Sequence, residues 1–381
     1  MNSLRRIALV VNPFTLRVKG GQHAPALARE LLGHGYSVRG FGAPEGLIPR
    51  SGEELDEQGR PIGTGLGGIL RFRPDLIVAY DALSPAAFQG ARAARSLKVP
   101  LVLVEAGFAG DGHWWERFLR RVGERLWGRF VRHQARRVVA LDPVAQAQAV
   151  HEGFDAERVV KLPSGVSLDV YRPGLSSSQV GAHSIHGRIL LYVGRLTTGR
   201  GLEVLIEAFA RTVGQRSDWS LVLAGDGPER ARLRAHAGRL GIGSRVHWLN
   251  RPRKEELPGL MGAATLLAVP ALDDSVRGKQ IPRAMACGLP VLASRLPRFE
   301  YLVEDNESGL LVDAGDLAAW TAALGRAAAA PESRKRWGLR ARQIAEERLA
   351  WPVVARGFEK LFLELYEEPA EKAVEVQACT E

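Results

Sequence analysis

Short apolar runs alternate with helix-length amphipathic stretches from one end of this chain to the other. The runs fall at residues 7–11, 76–79, 100–104, 138–141, 189–193, 221–224, 266–269 and 290–293. Unbroken apolar runs of this length predict strands buried on both faces. The stretches between them, apolar every third or fourth position, predict the helices that cover those faces. The expected class is α/β with parallel sheets. The Ser- and Gly-rich segment 173–187 is the best linker between two such units.

The most informative stretch is residues 191–210, LYVGRLTTGRGLEVLIEAFA. The apolar run meets Gly194 and Arg195, and a short loop then carries Arg200 and Gly201. After it Leu202, Leu205, Ile206 and Phe209 return at helical spacing. A strand, a tight basic turn and an amphipathic helix are predicted. Two guanidiniums at such a turn, beside a helix N-terminus, suit a diphosphate, and a nucleotide sugar is the expected ligand.

Composition narrows the partners. The chain has 381 residues, enough for two domains, and 46% of them are hydrophobic, as in a globular protein. The net charge of +10 points to anionic partners. Residues 1–183 hold 24 Lys and Arg against 17 Asp and Glu, the remainder 28 against 25, so the positive surplus lies mainly in the first half. No zinc spacing or RNA-binding signature is present, so nucleic acid is not an expected partner. The two cysteines, Cys287 and Cys379, suggest no disulfide framework and fit a reducing cytoplasm. Asn12 and Pro13 end the first apolar run too early for a signal peptide or membrane span. The tail after about Glu367 has no pattern.

Two further blocks carry candidate chemistry. Residues 221–230, LVLAGDGPER, put an acidic Gly turn after a strand, which alone is ordinary turn chemistry. Residues 277–294, RGKQIPRAMACGLPVLAS, place Gly278 and Lys279 before a helix start, Pro282 in its first turn and Gly288 at its end. Backbone N–H groups there, with Lys279 beside them, suit a phosphate or a sugar hydroxyl. A plain connecting helix with solvated charges is the alternative.

In combination these blocks resemble a family 4 glycosyltransferase of GT-B fold, the group 1 glycosyl transferases. The resemblance rests on VGRL, GRG and LIEAFA, on LAGDGPE, on AMACGLPVLAS, and on ESGLLVDAGD at 307–316. In the first half it rests on Gly20-Gly21, RPDLIVAYD at 73–81 and PSGVSLDVYRP at 163–173. The closing segment 349–366, LAWPVVARGFEKLFLELY, resembles the family's last helices. The resemblance implies two Rossmann-like domains facing each other across a cleft. An acceptor domain would span 1–183 and a nucleotide-sugar domain 184–345, with residues 346–381 crossing back to the first. It also implies retention of configuration and no metal or other cofactor. Arg195 and Arg200 match the family's pair on the donor diphosphate, and Gly20 and Gly21 its first-domain Gly loop.

The chain departs from the family in two places. The family's two glutamates, seven residues apart, align with Ser275 and Arg283. Asp273 and Asp274 lie just upstream and could supply the first acid. Nothing replaces the second, and a guanidinium cannot accept from a ribose hydroxyl. Arg283 would then meet a phosphate or an acidic donor sugar, or simply face solvent. In the first domain the family's His before a Gly is replaced by Ala106 before Gly107, with Glu105 and His113 nearby.

Residues 113–137 form the most basic stretch. Trp115, Phe118, Leu119, Val122, Leu126 and Phe130 fall on one predicted helical face. Arg117, Arg121, Arg125, Arg129, Arg132 and Arg136 cover much of the other, with Trp114 and Trp127 off the stripe. A basic, Trp-bearing amphipathic helix suits an anionic bilayer. Packing of the stripe on the sheet, with the arginines solvated, suits it equally, and both can hold. Gly123 and Gly128 are expected to weaken the helix.

The reading is a retaining, metal-independent transferase for a nucleoside-diphosphate sugar, cytoplasmic or on the inner face of the membrane, acting on a lipid-linked or polysaccharide acceptor. Arg195 and Arg200 would hold the diphosphate. The loop Gly278-Lys279-Gln280, with Arg283, would lie near the sugar, and Asp273, Asp274 or Glu105 would act in catalysis. Two alternatives stay open: a catalytically weakened nucleotide-binding scaffold, and an epimerase of similar fold.

Overall fold

The computed structural model describes residues 4–12, 23–42, 65–107, 121–215 and 218–367. They divide into two compact units. One holds the described residues up to Gly165 together with those from Trp351 onward, and the other is Val166–Ala350.

The first unit is built on a parallel sheet of β1 (Arg6–Val10), β2 (Ser37–Phe41), β3 (Leu76–Tyr80), β4 (Leu101–Glu105), β5 (Ala135–Ala140) and β6 (Val159–Lys161), in the order β2-β1-β3-β4-β5-β6. One face is covered by helix His23–Gly33 and by the C-terminal helix Trp351–Glu367. Val354, Phe358 and Phe362 of the latter are buried against β1, β3 and β4. Helices Gly65–Phe72 and Pro85–Leu97 cover the other face.

The second unit holds β7 (Arg188–Val193), β8 (Trp219–Ala224), β9 (Val246–Leu249), β10 (Leu266–Val269), β11 (Val291–Ser294) and β12 (Gly309–Val312), again parallel, in the order β12-β11-β10-β7-β8-β9. This is the doubly wound order of a dinucleotide-binding fold. The chain's direction across the sheet reverses between β7 and β10, and such folds bind ligands beyond the carboxyl ends of the strands at that point.

The eight apolar runs read from the sequence are the eight interior strands. The other four strands, β2, β6, β9 and β12, are the sheet edges. An edge strand is paired on one side only and three of these four are partly exposed, so their sequences mix polar with apolar residues.

The first unit ends at residue 165, earlier than the expected boundary at 183. Residues 166–183 pack on the second unit: the Val166 N–H donates to the Leu349 carbonyl at 2.7 Å, and Tyr171 is buried in the second core. The second unit likewise runs on to residue 350, past the expected 345. A π-helical turn at Ala345–Leu349 follows helix Pro331–Ile344 without a break, and Ala345 and Leu349 are buried in the second core.

The basic stretch is described from residue 121, and its register differs from the expected stripe. A π turn at Glu124–Gly128 leads into helix Arg129–Gln134. A π turn spends more residues per turn than an α-helix, where each residue advances about 100°, so the face shifts by roughly one residue. Leu126, expected on the buried stripe, is 70% exposed. Trp127, expected off it, stacks on Phe88 with centroids 5.6 Å apart. Arg136 is not helical but lies in β5. The π turn needs Gly123, because a Cβ there would come within 2.5 Å of the Leu83 carbonyl oxygen.

Among the described residues no helix is long and apolar enough to cross a membrane. Cys287 is a buried free thiol, pushed up to about 12 chiefly by burial.

His23, at the start of its helix, is buried against Trp351 and Phe358, with Nδ1 3.0 Å from the Tyr80 hydroxyl. Burial lowers its pKa to about 3, so the folded protein holds it neutral. The unfolded chain binds that proton from about pH 6.5 downward, and the unfolded state gains as pH falls. We expect this residue to lower unfolding stability by about 2 kcal/mol between pH 7 and pH 5, about 1.4 kcal/mol per pH unit below 6.5. Urea titrations at the two pH values should show the loss in the wild type and its disappearance in His23→Phe.

Candidate functional site

At the reversal point of the second sheet lies a cavity of about 160 Å³. Its walls come from the carboxyl end of β7 (Tyr192, Val193, Gly194, Arg195), the loop residue Arg200, the end of β10 (Ala268 to Ala271) and the loop Val276 to Gln280. Four of these residues, Arg195, Arg200, Arg277 and Lys279, are cationic, and none is acidic.

The local sequence explains why the basic turn holds this shape. The Tyr192 hydroxyl donates to the Arg195 carbonyl at 2.8 Å and closes the turn from its own strand. Gly225 and Gly227 of the LAGDG turn lie flat against it: a Cβ at Gly225 would be 1.8 Å from the Gly194 carbonyl oxygen. The Leu196 N–H donates to the Asp226 carbonyl at 2.9 Å. The acidic Gly turn therefore supports the basic turn from behind and does not line the cavity. Gly201, with φ +66°, caps helix Leu202–Thr212 directly after Arg200. The Arg200 Nε lies 3.4 Å from the Thr197 hydroxyl oxygen, to which it donates.

On the opposite wall Gly278 has φ +60° and packs under Phe299. The helix after it, Gln280–Ala286, has only seven residues, and Gly288 ends it in the expected left-handed cap, with the Leu289 N–H donating to the Ala284 carbonyl at 2.9 Å. A helix this short adds little dipole, so charge at this wall comes from side chains. Lys279 remains solvent-accessible. Even so, crowding by protein atoms, with the Arg277 and Arg283 guanidiniums close by, lowers its ammonium to about 8.

The structure brings Arg195, Arg200, Gly278, Lys279 and Gln280 together around this cavity. Arg283 stands outside the lining. Its guanidinium lies over the Tyr171 ring at 5.5 Å and donates to the Gln280 side-chain oxygen at 3.2 Å. The two aspartates do not line the cavity either. Asp273 is exposed, and its carboxylate accepts from the Ser275 N–H at 2.8 Å; hydrogen bonds from Ser275, with Arg200 nearby, hold it below the usual carboxylate range. The Asp274 carbonyl accepts from the buried Arg298 at 3.1 Å. Neither aspartate is therefore among the described residues of the cavity wall.

Glu105 belongs to the first unit, where its buried carboxylate accepts from the Ala82 N–H at 2.6 Å and ties β4 to the turn after β3. Gly20, Gly21 and His113 lie outside the described residues. Among the described residues no group of three or more His, Cys, Asp or Glu is placed to hold a metal ion. Tyr192 and Arg277 were missed as site residues. Tyr192 reads as one more position of an apolar strand, whereas Arg277 stood beside Gly278 and could have been found there.

Comparison with known proteins agrees with this architecture. Residues 178–344 match the family described as Glycosyl transferases group 1, and residues 20–165 match the Glycosyl transferase 4-like domain. The chain carries two glycosyltransferase domains. A D-inositol 3-phosphate glycosyltransferase of Corynebacterium urealyticum is 26% identical, with 98% of this chain and 90% of the relative aligned. One of Acidothermus cellulolyticus is 35% identical, but over only 46% of this chain and 41% of the relative. The chain thus spans less than half the length of that relative. The structure of Anabaena Alr3699/HepE in complex with UDP and glucose matches with a TM-score of 0.71 at 19% identity, covering 95% of this chain and all of that one. These GT-B neighbours share the α/β architecture of two six-stranded parallel sheets.

Proposed function

We propose that this protein transfers a sugar, with retention of configuration and without a metal, from a nucleoside-diphosphate sugar to a lipid-linked or polysaccharide acceptor. The observation that carries the proposal is a cavity whose described lining holds four cationic side chains and no acid, at the point where the second sheet reverses. Arg195 and Arg200 take the two phosphates. Lys279, with the Gly278 backbone, faces the far side of the diphosphate, where the sugar is attached. In glycosyl transfer the sugar–oxygen bond to the diphosphate breaks and negative charge grows on the leaving oxygen. Fixed guanidiniums and an ammonium stabilise that charge as it develops. The bound UDP of the Anabaena neighbour makes UDP the first nucleotide to try.

Calorimetry with UDP, GDP and ADP tests the donor site, followed by assays of sugar hydrolysis and transfer with the matching nucleotide sugar. The name of the relatives makes D-inositol 3-phosphate a soluble acceptor to include beside lipid-linked ones. Micromolar binding of one nucleotide and turnover of its sugar are expected. No binding at millimolar concentration would overturn the proposal.

A second reading, a nucleotide-binding scaffold, draws on Asp273, Asp274 and Arg283 lying off the cavity wall. Nucleotide binding without hydrolysis or transfer would favour it. Arg283→Glu separates the roles of that residue: donor binding unchanged would mean that Arg283 only braces Gln280 and Tyr171.

The lowered ammonium of Lys279 gives the site a pH signature. A bound diphosphate favours the charged form, so binding near pH 8 takes up a proton. Affinity should therefore fall as pH rises above 8, by up to about tenfold per pH unit. Calorimetry in two buffers of different ionisation enthalpy should detect the proton uptake, and Lys279→Met should abolish it.

A further inference from the structure

A second concavity, of about 500 Å³, lies in the first unit between helix Pro85–Leu97 and the π-turned segment. Arg95, Arg125, Leu126, Trp127, Arg129 and Phe130 line it, and none of its described lining residues is acidic. None of the three guanidiniums meets a carboxylate among the described residues. Arg95 lies over the Phe130 ring at 5.8 Å, while the neighbouring Glu124 is held by two hydrogen bonds from Arg132, at 2.7 and 2.6 Å. Among the described residues, positive charge without an acidic partner therefore surrounds Leu126, which the π turn rotates into solvent.

The aromatic rings beneath are already engaged. Trp127 stacks on Phe88, and Phe130 meets Phe88 edge-on at 5.7 Å. They form an apolar floor, with one Trp127 face on Phe88 and Arg95 over Phe130. What projects is one aliphatic side chain ringed by arginines. That combination matches the boundary between phosphate headgroups and acyl chains, where an apolar tip is buried and cations stay among phosphates. Single-stranded nucleic acid would call for exposed stacking platforms, and a small soluble anion would not explain an exposed leucine.

We propose that this face docks the protein on an anionic lipid bilayer, with Leu126 entering the acyl boundary and Arg95, Arg125 and Arg129 pairing with lipid phosphates. The proposal is independent of the donor site. It also differs from the stripe expected from the sequence, since the contact is centred on one leucine in the described segment.

Sedimentation with vesicles tests it. The protein should pellet with phosphatidylcholine vesicles containing phosphatidylglycerol and stay in solution with phosphatidylcholine alone. Near such a surface each arginine contributes about fivefold in affinity, so Arg125→Gln with Arg129→Gln should weaken binding about 25-fold. Leu126→Ser should weaken it about tenfold. These side chains are exposed and form no ion pair among the described residues, so the variants should keep the wild-type melting temperature, and thermal unfolding checks this. Failure of the wild type to pellet, equal binding to neutral vesicles, or unchanged binding of either variant would each overturn the proposal. So would duplex DNA displacing the protein from vesicles with the same arginine dependence and no effect of Leu126→Ser.

Discussion

Replacing Arg195 with alanine is expected to weaken nucleoside-diphosphate binding about 100-fold or more. A guanidinium holding a phosphate through a charge-assisted, two-pronged contact contributes about 3 kcal/mol, and the factor follows from that. The fold should not register the change. The Arg195 side chain is exposed, and the structural bond of this residue uses its backbone carbonyl, which accepts from Tyr192. Arg195→Lys should recover part of the loss, because the charge remains while the fork does not. Calorimetry and thermal unfolding on the same samples separate the two effects. Weakened binding with an unchanged melting temperature is the expected pair. Unchanged binding would place the diphosphate elsewhere.

The second large effect is on folding. Gly201→Ala is expected to destabilise the second unit by at least about 3 kcal/mol. Two penalties coincide there. An alanine would have to hold φ near +66°, and its Cβ would lie 1.7 Å from the Pro270 carbonyl oxygen. That oxygen belongs to backbone and cannot swing aside like a flexible side chain. Either the loop after β10, which lines the cavity, or the start of helix Leu202–Thr212, which directly follows the lining residue Arg200, must move. For a unit of this size the melting temperature should drop by roughly 6–12 °C. Nucleotide affinity should fall with it. An alanine variant with wild-type melting would show that the two loops do not touch.

The two predictions meet in one short segment, and that segment was largely legible in the sequence. The basic turn, the helix after it and the Gly278-Lys279 loop were read as a phosphate site, and five of the expected residues line one cavity. They were legible because each signal is local: a Gly where the backbone turns, a cation beside it, an apolar period that changes from strand to helix. The acids were not. Whether Asp273 faces a ligand or bonds its own loop depends on which way a short turn folds, and Arg298, 24 residues beyond Asp274, helps to fix that turn by donating to the Asp274 carbonyl. Glu105 was similar: its carboxylate is used on the Ala82 N–H, a partner 23 residues earlier. The basic helix failed in another way. A one-residue shift of face exchanges Leu126 and Trp127, and no count of helical spacing predicts a π turn.

By itself the sequence determined the α/β class and the eight interior strands, because strands covered on both faces must be apolar throughout, and that constraint is written along the chain. It also determined the basic turn. The tertiary structure decided what depends on neighbours distant in sequence: the four edge strands, the unit boundaries at residues 165 and 350, and the packing of the LAGDG turn behind Arg195. It decided, too, which charged side chains face a cavity and which are used up on backbone. Charge and polarity mark a residue as able to bind; only packing determines what it meets.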